Sequence, residues 1–170
     1  GASHSATLAL FAFFTILAVH NGNWDLGPMR EQTALAPLFW LALFGFGLKA
    51  GLFPLHIWLP SAHANAPSHV SAILSGVTIK MGIYGMVRVM YDLIGDVRWE
   101  WGVVVLVVGT ASALLGVLYA LMQHDLKRLL AYHSIENIGI ILMGLGLSMI
   151  FLGSGHKLLG TLGLVAALYH

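Results

Sequence analysis

From Trp101 to Gln123 the chain carries no charged residue. A bilayer core of about 30 Å is crossed by a helix of about 20 apolar residues, so this run reads as a membrane span. Comparable runs recur along the sequence. On the same ruler the spans fall at about 3–20, 33–60, 68–91, 101–123, 129–153 and 157–170, the last of them truncated. In lipid every backbone N–H and C=O must find its partner within the protein, a demand that helices meet. The expectation is an all-α, polytopic transmembrane helix bundle, one domain over residues 1–170, without internal repeats or low-complexity tracts.

Charged residues make up 9% of the chain, against about 25% in soluble domains. The formal net charge of +1 offers no basic surface for nucleic acid. There is no cysteine, which removes disulfides, thiolate metal sites and iron–sulfur ligation from this stretch. Residues 3–19 lack the basic flank and cleavage site of a signal peptide. A start at Gly1 and an end at His170 inside an apolar run predict an internal piece of a longer protein. Counting basic residues at the span ends sets Arg30, Arg88, Arg98 and Lys157 against Lys127 and Arg128, which places the first group inside.

The second run contains its own interruption. Lys49-Ala50-Gly51-Leu52-Phe53-Pro54 brings a glycine and a proline into the middle of an apolar stretch. Gly51 loosens the backbone and Pro54 removes a donor. A discontinuous helix is expected here, with Lys49 beside the break. Such a break is tolerated only where the freed groups are buried in protein or meet water. Ser61–Pro67 (SAHANAP) then reads as a small polar loop, and Asp92–Glu100 as a charged one. Ser112, Gly116 and Ala120 recur every four residues, the spacing of a close helix–helix contact.

Charges inside these spans carry the functional signal. Lys80 has no charged neighbour until Arg88, and a lysine at a bilayer centre costs roughly 2.5–3.5 kcal/mol. Such residues usually face a protein interior or wet cavity, and ion or proton pathways are their commonest use. His69 precedes Lys80 by three α-helical turns, with Gly76 between them and Tyr84 one turn beyond. At 3.6 residues per turn they return to nearly the same face, a polar line that reads as a proton wire; the plain alternative for Lys80 is a static contact neutralised by a single carboxylate. Lys49 reads as a second pathway lysine; the plain alternative is a side chain that snorkels to an interface. His133 and Glu136, at i and i+3, share a face and suit either proton exchange or a structural pair. His170 stands in an apolar run, where a lone histidine is more often structural. His56, His63 and His69 flank the break at spacings that fit no helical metal motif, so no metal is expected. Nucleotide and nucleophile fingerprints are absent, and no cofactor is expected in this chain.

Two stretches carry a family resemblance. KAGLFPLHIWLPSAHANAPSHVSAILSGVTIKMGIYGMVR (49–88) and ALMQHDLKRLLAYHSIENIGIILMGLGL (120–147) resemble the proton-translocating, antiporter-like membrane subunits. These include large membrane-arm subunits of respiratory complex I (NADH-quinone oxidoreductase), multisubunit Na⁺/H⁺ antiporters and group 4 membrane-bound hydrogenases. APSHVSA and AYHSIENIG look most like the hydrogenase-associated branch, hydrogenase 4 component B and formate hydrogenlyase subunit 3.

The resemblance implies that Lys49 loads protons beside the broken helix and that Lys80 links two half-channels. His170 matches the first histidine of a later broken helix. It also implies a cytoplasmic HDLKR turn, against the charge count, and a multi-pass protein of a prokaryotic inner membrane. The implied partners are other membrane subunits and a peripheral hydrogenase or dehydrogenase arm, with protons, and in some members Na⁺, as cargo. The chain would then be a non-catalytic proton-channel subunit of an oxidoreductase complex, relaying protons through buried lysines and histidines. Two alternatives stand beside it: a Na⁺/H⁺ antiporter subunit without a redox partner, and a non-transporting membrane scaffold for a hydrogenase.

Overall fold

The structure, a computed structural model, describes residues 2–25, 35–94 and 97–170. Residues 26–34, with Arg30, Glu31 and the expected start of the second span, lie outside the described residues, as does Asp96. The helices are α1 (Ala2–Asn21), α2 (Leu35–Ala50), α3 (Trp58–Asn65), α4 (Ser68–Ile73), α5 (Ile79–Val87), α6 (Trp99–Leu121), α7 (Leu126–Gly153) and α8 (Lys157–Tyr169). No strand occurs among the described residues. A 3₁₀ turn, Leu55–Ile57, leads into α3. A π-helical turn, Leu74–Thr78, joins α4 to α5, and a second, Arg88–Leu93, continues α5, so that 68–93 form one rod. Among the described residues, five segments are long and apolar enough to cross a membrane: 2–21, 36–65, 68–93, 99–121 and 126–153.

The break in the second span is built as a helix stop. Gly51 has φ of +73°, which costs a glycine nothing and other residues about 1–2 kcal/mol. Its N–H donates to Leu48 O at 3.3 Å, and the Leu52 N–H reaches back to Gly47 O at 3.0 Å. That pair of bonds is a Schellman motif, which satisfies carbonyls orphaned at a helix end. Two side chains add to these bonds. The Phe53 N–H donates to Ser112 Oγ on α6 at 3.0 Å, and Trp58 Nε1–H donates to Leu48 O at 2.8 Å. The N–H groups of Gly51, Leu52 and Phe53 are therefore all paired within the protein.

Two expected loops are shorter than anticipated. SAHANAP is helical as far as Asn65, because Pro60 sits in the first turn of α3, where its missing N–H has no partner to lose. Ala66, ahead of Pro67, is extended with ψ of 145°, and this ends the helix. The expected charged loop from Asp92 begins later too: the rod runs to Leu93, and Arg88 pairs with Asp92 one turn on. At the other end of the bundle Asp125 caps α7, its Oδ1 accepting from the Lys127 N–H at 3.0 Å.

α6 and α7 meet backbone to backbone. A Cβ added at Gly139 would lie 2.4 Å from Ala113 N, and one at Gly116 would lie 2.8 Å from Glu136 N. Ser112, Gly116 and Ala120 all lie buried on this face, joined by Gly102 and Gly109, which extend it over the full helix. Small residues let helices approach where no hydrophobic drive separates helix from lipid. α8 returns against α7, held by Ser148 Oγ–H donating to Gly160 O at 2.6 Å.

Candidate functional site

Two clefts, largely apolar but with polar side chains in their walls, flank the broken helix. The first, about 670 Å³, is lined by Lys49 at the last turn of α2, by Trp58, Ser61 and Asn65 of α3, and by Leu74 and Thr78 of the rod. The N-terminal turns of α1 close its side through Ala2, Ser3 and Ala6. Because α2 stops at Gly51, its terminal lysine opens beside α3. The cleft thus connects the helix of Lys49 to the helix of Lys80.

The second is a groove of about 530 Å³ between the start of the rod and α7. His63, on α3, is 1% exposed, and its Nδ1 lies 2.6 Å from Ser71 Oγ. Ser75 and Ser134 oxygens are 2.8 Å apart across the groove. Ser134 donates its own proton to Leu130 O at 3.0 Å, so Ser75 is the donor between them. Lys127 Nζ donates to Ala66 O at 2.8 Å and ties the start of α7 to the end of α3. His133 and Glu136 form an ion pair when the imidazole is protonated, with Nδ1 and Oε2 2.7 Å apart. His56 sits on the opposite flank, stacked on Phe53 at 5.2 Å and facing Tyr119 and Tyr132.

The residues singled out in the sequence divide between these places. Lys49 lines the first cleft, and His133 lines the second beside Gly76. Lys80, His69 and His170 line neither. Lys49 and Lys80, expected to be buried, are both exposed on the surface of this chain. The reason is visible in the ion pairs: among the described residues these are Arg88–Asp92 and His133–Glu136, so no carboxylate here draws either lysine inward.

The straight polar line through His69, Gly76 and Lys80 is also corrected. The π turn at Leu74–Thr78 adds about one residue to a turn, rotating the residues beyond it by about 100° relative to an unbroken α-helix. Lys80 and Tyr84, both on α5 and both exposed, keep a common face. Sequence reasoning named His63 only as a member of a histidine cluster, and it missed Ser71, Ser75 and Ser134. The i, i+4 spacing of Ser71 and Ser75 was the available signal; their partners on other helices left none.

A family profile described as "NADH:quinone oxidoreductase/Mrp antiporter, TM" matches residues 4–168. The chain belongs to this family. Within it, the chain is similar to hydrogenase-4 component B of Escherichia coli K12, 44% identical over 99% of this chain and 26% of the relative. It is 45% identical to formate hydrogenlyase subunit 3 of the same organism, over 96% of this chain and 28% of the relative. A solved structure of the Mrp complex from Dietzia sp. DQ12-45-1b contains a chain that superimposes with a TM-score of 0.76 at 30% identity, covering 98% of this chain and 33% of that one. The chain thus spans about a quarter of the length of the curated relatives it matches.

Proposed function

We propose that this chain is part of a proton-translocating membrane subunit of a redox-driven complex, of the membrane-bound hydrogenase or formate hydrogenlyase kind, in a prokaryotic inner membrane. The supporting observation is the first cleft. It opens at Lys49 beside a stopped helix and reaches Leu74 and Thr78 of the rod that carries Lys80. A proton held by Lys49 would pass through water in that cleft to Lys80 and onward toward His170, with His133, Glu136 and His69 as further carriers. The exposed faces of Lys49 and Lys80 would pack against helices of the full protein and its partner subunits. A peripheral hydrogenase or dehydrogenase arm would supply the electron transfer that drives the cycle.

In the full-length protein within its complex, Lys80→Met is expected to abolish redox-coupled acidification of inverted membrane vesicles while leaving assembly intact. Full acidification in that variant would overturn the role of Lys80. The superposition on an Mrp complex favours a second reading, Na⁺/H⁺ exchange without an electron donor. Exchange driven by a Na⁺ gradient alone, in vesicles given no reductant, would move the assignment there.

A further inference from the structure

We propose that the pocket between the start of α3 and the start of α7 binds the phosphodiester headgroup of an anionic phospholipid. The site shares only Ser61 with the cleft of Lys49, and it does not depend on the proposed proton translocation. It encloses about 310 Å³, and its wall includes His56, Ser61, Gln123, Arg128 and Tyr132. Most of that wall is polar, unlike the wall of either cleft described above. Arg128 is exposed, and among the described residues it forms no ion pair. Asp125, the acid nearest to it in sequence, uses Oδ1 to accept from the Lys127 N–H instead. Gln123 Nε2 donates one proton to Tyr119 O at 3.2 Å and keeps a second for a ligand. The His56 ring lies 6.4 Å from those of both Tyr119 and Tyr132, which stack on each other at 5.6 Å, so the aromatic floor is held from three sides.

The donor set names the ligand. A guanidinium meets two phosphate oxygens at once through its planar fork, and the neighbouring amide and hydroxyl donors suit the others. No carboxylate lines the pocket. The ammonium of a zwitterionic headgroup would find no partner there, which selects an anionic one. The position of the pocket selects a lipid over a soluble phosphate. Gln123 and Arg128 stand just after the membrane-length segment 99–121 and at the start of 126–153, the level at which headgroups meet hydrocarbon. Large apolar side chains open outward around them. Ile57 in the pocket wall, and Leu121, Met122 and Leu126 beside it in sequence, are 69–78% exposed. The small residues of α6 are buried against α7, which leaves Leu114, Leu118 and Leu121 outward as a continuous apolar track for acyl chains.

The test uses the full-length protein in its complex, reconstituted into phosphatidylcholine vesicles with complex content checked by immunoblot. The probe is a phosphatidylglycerol carrying a photoreactive diazirine in its acyl chain close to the glycerol, and its adducts are mapped by peptide mass spectrometry. Adducts are expected at Ile57 and within 118–126, and Arg128→Gln should lower them about tenfold. Arg98→Gln, at the opposite end of α6, should leave them unchanged. Excess unlabelled phosphatidylglycerol should compete with the probe, and excess phosphatidylcholine should not. Undiminished adducts in Arg128→Gln, an equal loss in Arg98→Gln, or equal competition by phosphatidylcholine overturns the proposal. Competition by millimolar inorganic phosphate assigns the pocket to a soluble anion and overturns it as a lipid site. Absence of adducts means that protein covers the pocket, and it overturns the proposal too.

Discussion

Ser112 shows how much one hydroxyl can decide in this environment. It is 0% exposed on α6 and accepts from the Phe53 N–H, a donor released by the helix stop. Ser112→Ala leaves that N–H unpaired inside the bundle, and the full-length protein in detergent should lose about 1–3 kcal/mol of stability. Thr110→Ala is the matched control. Among the described residues the Thr110 hydroxyl bonds only back to Leu106 O on its own helix, so its removal should change stability by no more than about 0.5 kcal/mol. Thermal unfolding followed by tryptophan fluorescence reads both. Ser112 was legible as a small residue in a four-residue repeat, but its second task was not. A side chain that completes another segment's backbone can be recognised only when the two segments are seen together.

At the scale of elements, two glycines should respond in opposite ways to the same methyl group. Gly139→Ala puts a Cβ 2.4 Å from a backbone nitrogen of α6. Backbone cannot step aside as a flexible side chain can, so about 1–3 kcal/mol of stability should be lost. Gly76→Ala meets nothing within 4 Å and stands in a helical rod. Alanine's better propensity should make it neutral or stabilising by up to about 1 kcal/mol. Unfolding midpoints of the two variants check the contrast. Gly51→Ala belongs to the same scale. Its φ of +73° and the Leu59 side chain 3.1 Å from a new Cβ both oppose the change, and about 1–2 kcal/mol should be lost. The break itself was legible from Gly51 and Pro54, because those residues act through local backbone rules. The π turns were not, since nothing in SAILSGVTIK separates an i→i+5 turn from a regular one.

On the scale of the whole molecule, the distribution of lysines says most about what surrounds this chain. Lys49 and Lys80 stand exposed on spans that the rest of the chain makes apolar. If further helices cover them, as proposed, amine labelling of the full-length protein in native membranes will separate the lysines. A membrane-impermeant acylating reagent is expected to modify Lys157, exposed where α8 begins, and to spare Lys80. Equal labelling of the two would mean that the Lys80 face is open to water. Tyr84, one turn from Lys80, shares its exposed face.

Apolar run length, the stop at Gly51 and the occurrence of Lys49 and Lys80 within apolar stretches are properties of consecutive residues, and the sequence by itself determined them. Lipid allows so few backbone conformations that hydropathy and a glycine–proline pair suffice to read the spans and the interruption. Tertiary structure alone decided which polar groups meet. Ser75 and Ser134 are separated by 59 positions, Phe53 and Ser112 by the same number, and Lys127 reaches Ala66 across 61. It also decided that Lys49 and Lys80 face outward from this chain rather than into it. The physical reason is that a buried polar pair depends on the depth and rotation of two helices. Those are set by the glycine-lined contact of α6 with α7 and by the turn geometry of the rod, not by any pattern local to the residues that end up side by side.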